Sequence, residues 1–130
     1  MSEELDLSVL LPASPEQVYI AWLDSQAHAA FTGSPADIDP REGGAFTAWD
    51  NYIQGRTLVL EPNLRIFQSW RTTEFPADAP DSFLELLLTP EKDGTRLILR
   101  HTSIPDGQSG QYREGWEEYY FKPMLAYFGD

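Results

Sequence analysis

With 130 residues, 42% apolar and 13% aromatic, the chain is long enough for one domain with a core of its own. A net charge of -12, from nine Lys and Arg against twenty-one Asp and Glu, argues against phosphate-backbone and anionic-membrane partners, which need a basic patch. The absence of cysteine excludes disulfides, thiolate catalysis and thiolate metal sites. The opening "MSEELDLSVLLPASP" has acidic residues ahead of a short apolar run and no basic leader region. No run has the length of a membrane-spanning helix. The expectation is a soluble, cytoplasmic protein with no nucleic-acid and no membrane partner, monomeric or homodimeric, folded as a single domain over residues 1–130.

In chain order, "DLSVLLP" reads as a first strand ended by Pro12. A helix follows over "ASPEQVYIAWL": Ser14 is its N-cap, Pro15 its first residue, and Gln17 completes a capping box. Val18, Tyr19, Trp22 and Leu23 give that helix an apolar face. "SQAHAAF" predicts a second short helix ending before Thr32 and Gly33, with His28 as an ordinary surface residue. From Gly43 the apolar period changes to two. "GGAFTAW", "GRTLVLE", "LRIFQSW", "SFLELLLT" and "TRLILRH" predict five strands, with hairpin signals in "EPN" and "PEKDG". The order is β-α-α-β-β-β-β-β-α, an α+β pattern with a six-stranded sheet.

Alternation assigns the faces. Ile66, Gln68 and Trp70 share one side of their strand, as do Leu84, Leu86 and Leu88, and then Leu97, Leu99 and His101. The arginines fall on the other side. The last element, "REGWEEYYFKPMLAYFGD", belongs to a segment from Tyr112 to Phe128 that holds seven of the seventeen aromatic residues. At helical spacing Tyr112, Trp116, Tyr119, Tyr120, Pro123, Met124 and Tyr127 form one stripe, and Phe121, Leu125 and Phe128 broaden it. Pro123 should disturb the middle of this helix.

Chemistry-bearing patterns are few. There is no metal-binding histidine pair, calcium loop, phosphate-cradling glycine loop or nucleophile elbow, so no cofactor, no metal and no catalytic set is expected. What stands out is the polar minority on an apolar inner face. Ile66, Gln68, Trp70, Leu84, Leu86, Leu97, Leu99, His101, Trp116 and Tyr120 are the candidate lining of a ligand cavity, with His101 and Gln68 orienting a polar end. Two readings stand side by side: a pocket, or a core filled by aromatics whose polar tips are bonded within it.

The chain resembles the homologues of the activator of heat-shock protein 90 ATPase, a branch of the START-related (SRPBCC) helix-grip superfamily. The resemblance runs through "LPASPEQVYIAWLD", "DPREGGAF", "IQGRTLVLEPNLRIFQSWR", "DSFLELLLTPEKDGTRLILRHTSIP" and "GWEEYYFKPMLAYFG". Its most specific pieces are Gly43-Gly44 with Phe46, Gly55, the Pro62–Trp70 hairpin, Gly94-Thr95 with Leu97, and Gly115-Trp116. It implies a helix-grip fold: a curved antiparallel sheet around a long C-terminal helix, with two small helices closing one end. It also implies a cavity for an apolar small molecule and, for the eukaryotic cochaperone, contact with a heat-shock protein 90-type chaperone. Two features depart from the family's pattern. The cochaperone carries a further docking domain that this sequence does not contain, and many single-domain relatives have a carboxylate where Val59 stands. The functions in view are a non-catalytic ligand-binding or cochaperone-like protein and, as the alternative, a polyketide-cyclase-like enzyme working in the same cavity.

Overall fold

The computed structural model describes residues 2–129. Its strands are β1 (Ser2–Leu11), β2 (Asp37–Ile38), β3 (Ala45–Ala48), β4 (Ile53–Glu61), β5 (Arg65–Thr72), β6 (Ser82–Glu91) and β7 (Gly94–Pro105). Its helices are α1 (Pro15–Leu23), α2 (Ser25–Thr32), α3 (Ser109–Trp116) and α4 (Lys122–Gly129), the last two joined by a π turn over Glu117–Phe121. The strands form one antiparallel sheet in the order β1-β7-β6-β5-β4-β3-β2. β1 and β2 therefore sit at opposite edges, and α1 with α2 carries the chain between them. The expected six strands become seven because β2 is only two residues long. A pair of residues is too short to show a period.

The helix starts are set as their residues dictate. Ser14 Oγ accepts from the Gln17 amide at 3.2 Å, and Gln17 Oε1 accepts from the Ser14 amide at 2.9 Å. Asp24 caps α2 by accepting from the Ala27 amide at 2.8 Å, and Gly33, left-handed at φ 77°, ends it. α2 thus runs one residue past the expected Phe31. α1 packs across β6 and β7, and α2 lies against the C-terminal helix.

Alternation holds along β5, β6 and β7, so Ile66, Leu84, Leu86, Leu88, Leu97 and Leu99 meet Met124 of the C-terminal helix in the core, each at most 1% exposed. Register shifts at Glu3/Leu5 and at Thr57/Val59 bend the sheet, since a bulged strand bends and twists more strongly. The bend lets the sheet wrap a helix.

Gly94 opens β7 at φ 149°, and a Cβ there would lie 1.9 Å from the Leu11 carbonyl oxygen. Gly94→Ala is expected to cost at least about 1–3 kcal/mol, because backbone rather than a yielding side chain fills that space. Gly110→Ala, whose Cβ would meet nothing within 4 Å, should be neutral or slightly stabilising. Urea midpoints of the two variants against the parent check both.

The C-terminal helix departs from simple helical spacing at Pro123. A proline ring in an α-helix crowds the carbonyl four residues back, here that of Tyr119, and offers no N–H. The π turn widens the helix just before it, with the Lys122 amide donating to Glu117, five residues back. One extra residue is absorbed, and the faces shift. Tyr120 and Phe121 are both buried, whereas Tyr119 is 60% exposed and Tyr127 is also exposed. Phe121 therefore belongs to the inner stripe, and Tyr119 and Tyr127 do not.

Candidate functional site

The polar groups on the inner face form closed hydrogen-bond chains. Trp116 Nε1–H donates to His101 Nδ1 at 3.1 Å. That fixes the proton of a neutral imidazole on Nε2, which donates to Ser82 Oγ at 2.8 Å, and Ser82 passes its own proton to the Trp70 carbonyl at 2.7 Å. His101 is fully buried, and burial pushes its pKa down to about 3. Gln68 is equally occupied: its Oε1 accepts from Trp22 Nε1 at 3.3 Å and its Nε2 donates to Thr57 Oγ1 at 3.1 Å.

His28 is not a surface residue. It is 3% exposed, with Nδ1 donating to the Trp22 carbonyl at 2.9 Å and Nε2 accepting from the Tyr120 hydroxyl at 3.0 Å. Burial brings its pKa down to about 4, against a smaller opposing push from the Trp22 bond, and burial raises that of Tyr120. No local pattern announces this partner, because Tyr120 lies 92 positions away. No buried side-chain nitrogen or oxygen among the described residues is left unbonded. Nor is any group of three or more His, Cys, Asp or Glu placed to hold a metal ion among them.

The open space lies elsewhere, at the end of the sheet where β3, β4 and β5 face α3 and the π turn. A cleft of about 560 Å³ is walled by Trp49, Tyr52, Ile53 and Trp70 on the sheet side and by Tyr112, Gly115, Trp116, Tyr119 and Tyr120 on the helix side. Glu74 and Gln111 complete its lining. Gly115 keeps the helix wall open, since a Cβ built there meets no atom within 4 Å. Trp49 reaches the cleft from an unusual connection: Trp49, Asp50 and Asn51 all have φ between 53° and 70°. Such left-handed residues normally occur singly and carry strain, which collects at functional sites. The Trp49 ring meets Tyr119 edge to face at 5.8 Å and Tyr120 at 6.3 Å.

Glu74 is the one charged residue of this lining. Tyr52 donates its hydroxyl proton to the Glu74 carboxylate, and Gln111 Nε2 donates to it at 3.2 Å. Burial first, and then the bond to Glu74, raises the pKa of the Tyr52 hydroxyl. The neighbouring arginine is already engaged, Arg71 with Asp81 at 2.8 Å.

Of the ten candidate lining residues, the structure brings Trp70, Trp116 and Tyr120 to the cleft. Ile66, Gln68, Leu84, Leu86, Leu97, Leu99 and His101 lie deeper, none more than 2% exposed, packed around and behind it. Trp49, Tyr52, Ile53, Glu74 and Gln111 were not legible as lining. Tyr52 and Glu74 sit at strand ends and in turns, where a period of two says nothing about direction. The aromatic character of "AWDNYI" was the available signal.

Comparison with known proteins follows the same outline. Residues 12–129 match the family described as "Activator of Hsp90 ATPase homolog 1-like protein". The human activator of 90 kDa heat shock protein ATPase homolog 1 is 31% identical over 118 residues, covering 89% of this chain and 34% of that protein. The chain thus spans about a third of the length of the curated relatives it matches. Among solved structures, an HSP90 activator from Plasmodium falciparum superposes with a TM-score of 0.89 at 19% identity, covering 97% of this chain and 96% of the other. A protein from Chromobacterium violaceum superposes with a TM-score of 0.79 at 28% identity, covering 98% and 97%. The chain is a member of the Hsp90 ATPase activator homologue family, with the family's helix-grip fold.

Proposed function

We propose that this protein is a non-catalytic binding module whose aromatic cleft receives an apolar small molecule. The observation that carries the reading is the cleft itself: about 560 Å³, walled almost entirely by aromatic side chains, with a few polar groups at its rim. That size and chemistry are those of small-molecule sites. Against catalysis in the same space stands the engagement of both imidazoles. His28 and His101 are buried and bonded at both nitrogens, and neither lines the cleft, so neither imidazole is free to act as a general base on a substrate there.

A thermal-shift screen with apolar aromatic and lipid compounds tests this. A ligand that binds only the native state raises Tm in proportion to the logarithm of its excess over Kd. The blocking variant is Gly115→Leu, which fills space that is empty and replaces a helical glycine, so it should fold at least as stably as the parent. Loss of every ligand-induced shift in a stable Gly115→Leu protein is the expected result. Shifts that survive in it, or their absence in the parent, count against the cleft as the site.

A second reading, contact with a heat-shock protein 90-type chaperone, draws support from the match to the human activator over most of this chain. Stimulation of a purified chaperone's ATPase by this chain is its measurement. The chain matches only a third of that activator, so stimulation weaker than the activator's own is expected.

A further inference from the structure

We infer that the cleft selects organic cations: a protonated or quaternary amine carried on an aromatic or apolar body. The inference rests on the cleft being the ligand site and adds to it the ligand's charge. Among the described residues Glu74 makes no ion pair, whereas Arg65 pairs with Glu85 and Arg71 with Asp81. No lysine or arginine lines the cleft to receive an anion. Tyr52 and Gln111 both donate to the Glu74 carboxylate and hold it at the rim as an acceptor of fixed position.

The walls complement that charge. Neighbouring rings stand at steep angles, Trp49 to Tyr119 at 72°, Trp49 to Tyr120 at 73° and Trp70 to Tyr112 at 84°. Aromatic rings border the space on both the sheet side and the helix side. The face of an aromatic ring is its electronegative surface, and it attracts a cation within about 6 Å of the centroid. A neutral apolar ligand would use the walls and gain nothing from the Glu74 carboxylate, which stands exposed at the rim with Tyr52 and Gln111 as its donors. An anion would meet Glu74 directly, on a chain of net charge -12. Only a cation satisfies walls and carboxylate together. The volume exceeds what a bare methylated ammonium fills, which is why the charge is assigned to a larger apolar body.

The experiment titrates the intact protein with benzyltrimethylammonium, its neutral isostere neopentylbenzene and the anion benzylphosphonate, reading the indole N–H resonances of the tryptophans. The cation should bind about tenfold more tightly than the neutral isostere, and the anion should not bind. Glu74→Gln keeps an acceptor for Tyr52 and should bring the cation's affinity down toward that of the neutral isostere, removing most of that preference. Tyr119→Leu, at an exposed position that the fold tolerates, should also narrow the preference by removing one π face. Equal or tighter binding of the neutral compound would overturn the charge selection and leave the apolar site standing. Failure of all three compounds to bind would overturn the site as well.

Discussion

Trp116→Ala is expected to lower stability by about 3–5 kcal/mol, the cost of emptying a large aromatic site in a packed core. Trp116 is 2% exposed and lies between the sheet and the helix, its ring 5.5 Å from Trp70, 4.8 Å from Tyr120 and 5.8 Å from His101. Its indole N–H is also the donor to His101 Nδ1. Truncation therefore leaves a buried acceptor unpaired, in a place where burial already opposes charging the ring. Trp116→Phe separates the two contributions. It keeps most of the ring volume but removes the donor, and should cost about 1–3 kcal/mol. Urea unfolding followed by circular dichroism measures both. A midpoint that hardly moves for Trp116→Ala would mean that the helix does not grip the sheet at this residue.

Acid should destabilise the protein well before its carboxylates titrate. His28 and His101 are held neutral in the fold, with pKa values pushed down to about 4 and about 3, while in the unfolded chain each takes a proton near 6.5. As pH falls through 6.5, the unfolded state therefore binds protons that the folded state refuses. Stability is full above about 6.5 and declines toward pH 4. By pH 5 each histidine accounts for a loss of about 2 kcal/mol, roughly 4 kcal/mol for the pair. Denaturation curves at pH 7.5 and pH 5 read this directly. His28→Gln should flatten the slope by about one proton whatever it does to the absolute stability. A stability that stays level from pH 7.5 to pH 5 would show that both imidazoles are free to charge in the native state.

These two expectations share a cause. The tryptophans and histidines of this protein are wired to one another across the core, so the same side chains serve packing and polar satisfaction. That wiring also weakens His101 and Gln68 as ligand contacts. Each is already bonded at both polar atoms of its side chain, His101 to Ser82 and Trp116 and Gln68 to Thr57 and Trp22. The strain at Trp49–Asn51 and the Glu74 carboxylate, which makes no ion pair among the described residues, lie instead around the cleft.

Local sequence alone determined the elements and their inner faces. The capping box at Ser14 and the period-two runs of β5, β6 and β7 depend on neighbours two to four positions apart, and those neighbours are written in the chain. The arrival of a long aromatic helix after the strands was legible for the same reason. Tertiary structure decided everything that joins distant positions. His28 became a core residue because Tyr120 and Trp22 close over it, and β2 exists because β3 is there to pair with it. Pro123 announced a disturbance, but only the packed helix showed it as a π turn that exchanges Tyr119 for Phe121 on the inner face. The cleft was the least legible feature of all. Its walls come from turns and element ends, where no period fixes direction, and an empty space is set by what neighbouring side chains fail to fill.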